Sequence, residues 1–392
     1  YSYSISEVEL RLGLSYVSIE NAKLNLNKET KGYVFDELVN KAVSKWEEKL
    51  SLINIKGVND TVKTIFYSAL YRSFQMPTNF NDVSGEYLGF DKNIHQANGF
   101  NYYTDLSLWD TFRTVHPLYI LIANKEQRDM IVSMVEMARQ GGWLPRWPSG
   151  GGYTNSMFGT PADIMLTGSY LKGVTDFDVE FAFLKMKETA LAPTPNGSEF
   201  SGRRSIESYL EYEYCPNDKK ERSVSRTLEY SWSDHCISLL ANELGYYDEA
   251  KKFSKHSKFY KNLWNPETQY FQARNSDGSF VEDFDPLQLT YTDWDGEITK
   301  GYVEGSALQW RWAVPFDPQG LISLFKDKEY FIQELNDFFE LSDPQLARWN
   351  PGSYYWHGNQ PDIYSAYLFN EAGRPDLTQK WVRWILENKY EN

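Results

Sequence analysis

A chain of 392 residues is long enough for one large domain or two, and 41% apolar with 24% charged residues is the composition of an ordinary globular protein. The net charge of −14 disfavours nucleic acid and anionic membranes as partners, and no apolar stretch approaches the ~20 residues of a membrane span. Two cysteines, Cys215 and Cys236, are too few for a disulfide framework and lack CxxC spacing; they leave room for one bridge, but Cys236 in a strongly helical stretch favours two free thiols.

The N-terminus YSYSISEVEL has neither a basic nor an apolar signal region and does not begin with Met, so an upstream part is expected to have been removed. Residues 7–18 (EVELRLGLSYVS) alternate apolar and polar, which predicts a strand, read as the last piece of a preceding β-domain. From Phe35 the pattern becomes helical: Phe35, Leu38, Val39, Ala42, Val43, Trp46 and Leu50 share one face. Similar periodicity predicts helices around 59–75, 107–122, 125–139, 161–173, 178–190, 223–243, 247–263, 303–313, 328–340, 360–371 and 375–389. Between them lie loops dense in Gly, Pro, Trp and Tyr at 141–160, 191–203, 264–302 and 342–359. QYFQAR and GSFVE around the turn at 275–278 predict a β-hairpin serving as a pocket wall. The expected fold is therefore mainly α, an all-α toroid whose loops build a pocket at one end. No sequence repeat of fixed period is present, which excludes a solenoid with a repeat code.

Aromatic residues make up 16% of the chain, with 13 Trp, 28 Tyr and 23 Phe, and many fall in those loops. Rings outside a core stack on flat, weakly polar partners. A sugar face and a protein interface both qualify, and composition leaves the two open.

The chemistry is narrowed first by exclusion. There is no Walker A loop, no GxGxxG after a strand and no GxSxG elbow. The five histidines (His95, His116, His235, His256, His357) show no zinc spacing. Asp293, Asp295, Gly296 and Glu304 imitate a calcium loop, but the glycine sits two places too early for an EF-hand. Acid chemistry remains. Cleaving a glycosidic bond needs a carboxylic acid to protonate the leaving oxygen and a second carboxylate to activate water or attack the sugar. Glu304 follows a loop, precedes an aromatic helix and is bracketed by Gly301 and Gly305, which let a substrate approach the backbone. On context alone it is equally well an N-terminal helix carboxylate facing the helix dipole. Asp234 and His235, in mid-helix, read as a structural polar pair.

Five blocks then resemble, in order across roughly residues 60–389, the exo-α-mannosidases of glycoside hydrolase family ninety-two. LSLWDTFRTVHPLYIL is similar to the family's SLWDTFRxxHPL block. GGWLPRWPSGGGYTNSMFGTPADIMLTGSYLKGVTDFD resembles its LPRW…GxxADxxIxDAYxKGIxxFD block. SVSRTLEYSWSDHCISLLANELG resembles its SVSxTLEYAYDDWCIAxLAxxLG helix. YVEGSALQWRWAVPFDPQGLI is similar to (Y)xEGxxxQYxWxVPHDxxGLI. YYWHGNQPDIYSAYLFNEAGRPDLTQKWVR is similar to HGNEPxxxxAYLYxxAGxPxxTQxxVR.

The resemblance implies an (α/α)6 barrel over residues 21–392, with residues 1–20 ending a β-sandwich domain and its linker. It also implies a calcium-dependent, inverting exo-α-mannosidase, α-1,2-specific in the first instance. Its partner would be a mannose-containing N-glycan or mannan, and its location secreted, periplasmic or at the surface of a bacterium. Glu304 matches the general acid. Trp109, Asp110 and Arg113 match the block that grips the terminal mannose. His357, Gly358, Asn359 and Gln360 match the loop on the leaving-group side, with Asn359 and Gln360 at the calcium site. For each of these the residues permit a plainer reading. Trp109 and Arg113 equally suit a buried stacked pair, Asp110 a helix N-terminal acid, and Trp143, Arg146 and Trp147 either rim contacts for sugar or loop packing. Two departures stand out. Gln360 replaces the family's Glu, and the GNDDxGxMSAW-like segment that carries the family's catalytic base does not occur, so the base is expected outside this chain. Internal alternatives are Asp110, Asp163 and Asp362, none of which the resemblance assigns. Other α-mannosyl linkages, and a sugar-binding toroid without catalysis, are the rival readings.

Overall fold

A computed structural model describes residues 8–289, 301–342 and 352–390. The described residues are mainly helical. Their strands are two- and three-residue ladders, such as Glu86–Leu88 against Ile94–Gln96 and Trp264–Asn265 against Tyr270–Phe271. Helix starts follow local chemistry. Asn59, Asp178 and Asp327 accept from the backbone N–H three residues on, and Pro161, Pro318 and Pro375 occupy first-turn positions where a missing N–H costs nothing.

The long helix Ser223–Glu243 is the spine. It packs against Pro161–Leu171 and Tyr247–His256 and is buried on nearly all sides. Its N-terminal half, through Val224 and Leu228, joins a core with Trp310, Trp312, Phe331, Phe338 and Trp381. Its C-terminal half, through Ile237, Leu240 and Ala241, joins a second core with Met130, Met134, Leu166 and Phe183. A helix enclosed this way has no polar face, so its polar side chains meet partners inside the protein.

The N-terminal strand expected at 7–18 is not formed in its described part. Residues 8–18 lie outside any strand, and the helix Ile19–Thr30 follows, spanning the expected boundary at residue 20. Val8, Leu10, Leu12 and Leu14 are 74–80% exposed. Alternation specifies a strand only together with a partner ladder, and no described residue pairs with this segment. The hairpin at 270–281 does form, as the Arg274–Phe280 bridge closed by Asn275 N–H to Ser279 and Val281 N–H to Ala273. Cys215 and Cys236 are both free and buried. The imitation calcium loop at Asp293–Gly296, and parts of the loops at 264–302 and 342–359, lie outside the described residues.

Candidate active site

The Glu304 segment is fixed from three sides. The first turn of Ser223–Glu243 directs the N–H groups of Val224 and Ser225 at the Gly301 carbonyl, 2.9 and 3.1 Å away. Ser225 Oγ accepts from Val303 N–H at 3.0 Å, and Trp310 Nε1 donates to the Val303 carbonyl at 2.8 Å. Glycine is required at 301 on two grounds. Its φ is +102°, and a Cβ there would lie 2.9 Å from Val224 Cγ2. At 305 a Cβ would lie 2.7 Å from Gln309 Oε1 and 2.9 Å from Asn359 Nδ2. Glu304 itself adopts φ +44°, a left-handed conformation that costs a non-glycine residue of order 1 kcal/mol and persists only where its surroundings over-determine it. The helix-dipole reading fails here: the helix Ala307–Trp310 is capped by Ser306 and Gln309 in a reciprocal box, two residues past Glu304.

The loop holding His357–Gln360 docks on the same short helix. Gln309 Nε2 donates to the carbonyls of Gly352 and Tyr354, and Ser306 Oγ to that of Ser353. Asn359 Nδ2 then donates to the Glu304 carbonyl at 2.5 Å, and Gln360 Nε2 to Asp110 Oδ1 at 2.6 Å, closing a sequence separation of 250 residues. Asp110 and Glu304 are thereby brought to one place. Burial pushes the Glu304 carboxyl above the ordinary range, the Asp110 charge pushes it further, and Arg222 opposes. Burial also raises Asp110, against Arg113 and the hydrogen bonds from Gln360 and Ser107. His357 sits between the hydroxyls of Tyr355 (2.5 Å) and Tyr390 (2.7 Å), and burial lowers it to about 4. Gly358 lies against the Trp356 ring, 2.6 Å from where a Cβ would project.

The other expected residues take different places. Trp109 and Arg113 form the buried stacked pair. Trp109 is 0% exposed, the Arg113 side chain is 1% exposed, and its guanidinium lies 5.0 Å from the Trp109 ring. Arg146 is sealed in the wall, where its guanidinium donates to the carbonyls of Gly159, Asn155 and Gly202. Trp143 is half-buried, with its backbone N–H and carbonyl bonded to the Tyr153 hydroxyl and its ring beside Phe200 and the Lys185 ammonium. Asp163 does not reach the site. It is tied to Arg203, which also binds Asp234, and burial raises it to about 6. Asp362 is fully buried beneath Trp356, whose N–H it accepts, and burial raises it strongly. Asp234 and His235 are not a pair: Asp234 bonds Arg203 and the Tyr209 hydroxyl, while His235 lies against Phe316.

Two residues were missed. Arg222, at the lip of Ser223–Glu243, faces Glu304 from a left-handed backbone (φ +60°). Glu229, on the same helix, binds Arg113 at 2.8 Å with 3% of its side chain exposed. The available signal for Glu229 was only a charged residue inside a helix rich in small residues. For a metal, the donors of suitable chemistry are the amide oxygens of Asn359 and Gln360. Their nitrogens are already committed to Glu304 and Asp110. Among the described residues no three His, Cys, Asp or Glu side chains gather as a metal cluster.

The glycosyl hydrolase family 92 catalytic domain matches residues 21–392. A family GH92 α-mannosidase from Bacteroides thetaiotaomicron superposes with a TM-score of 0.86 at 35% identity, covering 96% of this chain and 48% of that one. A structure of that enzyme in complex with mannoimidazole matches at 33% identity, with a TM-score of 0.86, covering 95% and 48%. A GH92 inverting mannosidase from the same organism matches at 28% identity with a TM-score of 0.84, covering 95% and 51%. An uncharacterized secreted glycosidase of Arthroderma benhamiae is 26% identical over 99% of this chain and 48% of its own length. The chain thus spans about half the length of these relatives.

Proposed function

This chain belongs to glycosyl hydrolase family 92, and on that premise we propose an exo-acting α-mannosidase that inverts configuration, with Glu304 as its general acid. The observation that carries the reading is the Glu304 carboxyl, half-buried, held in a left-handed backbone and facing the Asp110 charge. Such a group keeps its proton to higher pH than an ordinary carboxyl and can deliver it to a glycosidic oxygen. Asp110, oriented by Gln360, contacts the terminal sugar, and the loop His357–Gln360 borders the leaving group. The base that activates water lies outside this chain. Inversion requires the two carboxyls about 6.5–9.5 Å apart with water between base and anomeric carbon. The helices close as an (α/α)6 barrel over residues 21–392, preceded by a β-sandwich domain.

The substrate class is an α-mannoside of glycan or mannan type, with an α-1,2 linkage as the first to test. The complex of a similar enzyme with mannoimidazole supports a mannose-type ligand. The secreted fungal relative supports work outside the cell. Calcium fits the donors in kind, because Asn359 and Gln360 offer neutral oxygens beside two carboxyls, a set that suits a hard cation completed by water. When bound, it would polarise the groups around it.

Proton NMR of the product tests the reading, with β-mannose expected first from an α-mannoside. First release of α-mannose overturns inversion, and failure of the gene extended past Asn392 to release mannose overturns the hydrolase. The 392-residue chain alone is expected to be inactive or nearly so.

A further inference from the structure

We infer that Glu229 is a positioning residue of this site, acting through Arg113 on Trp109 and Asp110. This rests on the mannosidase reading of the same pocket.

Arg113 is a cation with 1% of its side chain exposed, enclosed by the rings of Trp109, Phe112 and Trp232 at 5.0, 4.5 and 5.6 Å. A charge so enclosed takes the position of its counter-ion, and Glu229, 2.8 Å from Nη2, is that counter-ion. From there Arg113 Nε donates to the Trp109 carbonyl at 3.2 Å, fixing the turn that presents Asp110, and its charge acts on the Asp110 carboxyl. Asp110 in turn receives Gln360. One continuous chain of contacts runs from mid-helix Glu229 to the loop beside Glu304.

Two further observations mark this as more than a core ion pair. The partner groups around Arg113 are incompletely used: Glu229 Oε2, Trp109 Nε1 and the Tyr364 hydroxyl are buried without a hydrogen-bond partner among the described residues. Tyr364 is within the electrostatic reach of both Arg113 and Glu229. Polar groups left this way in a fold's interior are the exception, and although others occur at Arg311 and Trp312, these three lie about the ion pair that acts on Asp110. The second observation is Gly159. With φ +66°, it lies so close over Glu229 that a Cβ would come 2.9 Å from Oε2. The loop is shaped around this carboxylate.

Glu229→Asp is the decisive variant, because it keeps the charge and withdraws it by about 1.5 Å, one methylene. A counter-ion with only a structural role tolerates that shift, whereas a positioning group does not. Mannoimidazole, the probe, is titrated by calorimetry against a longer form of the protein that releases mannose, and against its variants, with melting temperature recorded in parallel. The expected result is a melting temperature within a few degrees of the parent and a Kd raised about tenfold, a 1 Å-scale displacement effect. Glu229→Gln strands the buried Arg113 charge and is expected to lower the melting temperature. Pairing it with Arg113→Met removes both charges, so that the double variant regains stability but not affinity. If the parent does not bind mannoimidazole, the mannosidase reading falls. If the parent binds and both Glu229→Asp and the double variant bind equally well, the role assigned to Glu229 falls alone.

Discussion

Two buried guanidiniums, Arg203 and Arg113, face the same physical problem and are solved differently. Arg203 has two carboxylates and a hydroxyl: Asp234 at 2.5 Å, Asp163 at 3.2 Å and Thr160 at 3.1 Å. Its network reaches the Tyr209 hydroxyl through Asp234 and stitches the segment around residue 203 to the helices Pro161–Leu171 and Ser223–Glu243. Arg113 has one carboxylate, one carbonyl and three aromatic rings, with unpaired polar atoms on its neighbours. The Arg203 groups tie separate segments of the fold together, whereas the open valences around Arg113 are one sign that its geometry serves something else. Incompleteness alone is not sufficient. Arg311, sealed against Tyr270 and Phe325, has two nitrogens without partners among the described residues and pairs with Glu334, away from this site. What distinguishes Arg113 is that its charge acts on the Asp110 carboxyl.

The contrast breaks most sharply at Glu304. In a form of the protein that releases mannose, Glu304→Gln is expected to cost roughly 10³–10⁴ in kcat/KM on a mannose disaccharide, the upper range for general acid catalysis. The loss should be far smaller on an activated aryl mannoside, whose leaving group needs little protonation, and the melting temperature should hardly move. Equal loss on both substrates removes Glu304 from the role of acid.

At Arg203 the expectation is reversed. Arg203→Met leaves Asp163 and Asp234 buried without their cation and should destabilise the fold by about 3–5 kcal/mol, read from urea denaturation. A loss below about 1 kcal/mol would show that the triad is not the lock on that wall.

A third network lies behind the site. His116 is buried between Thr111 Oγ1 (3.0 Å) and Gln127 Oε1 (2.9 Å), and burial lowers it from 6.5 to about 4. The native state thus binds fewer protons than the unfolded chain between those values. The contribution is complete above pH 6.5 and is lost as pH falls through about 4. Stability should fall by about 2 kcal/mol from this group between pH 7.5 and 5. His116→Gln should flatten that part of the curve, and an unchanged slope would refute the assignment.

Asp163 gives the smallest and opposite effect. Its folded pKa, about 6, lies above the ordinary 3.8, because burial raises it by more than Arg203, shared with the better-placed Asp234, lowers it. The native state holds this proton more tightly, so the contribution is present at low pH and is lost as pH rises through about 6. Asp163→Asn should therefore gain relative stability at pH 8 over pH 5, by about 1 kcal/mol. A parallel offset at both pH values would contradict the raised titration.

Much of this was legible in residue order. Helical spacing located Phe35–Leu50, Asp60–Ser73, Ser223–Glu243 and Pro375–Asn388, because one-dimensional periodicity is the direct signature of a helix with an inside and an outside. The helix Ile19–Thr30 escaped that test. It buries Asn25, which donates to Asp82 and accepts from Val83, so polar contacts across some 60 residues anchor it in place of an apolar stripe. The strand expected at 7–18 shows the converse, since alternation without a partner ladder is only a capacity. Glu304 was nominated by its flanking glycines and its motif, both local. The sequence by itself determined the family and the helical periods and nominated Glu304 as the candidate acid, because each is written in neighbouring residues. Tertiary structure alone decided that Asp110 meets Gln360 across 250 residues, that Arg146 and Asp163 belong to the wall, and that Glu229 stands behind Arg113. Those outcomes depend on burial and on partners far apart in the chain, which no local pattern encodes.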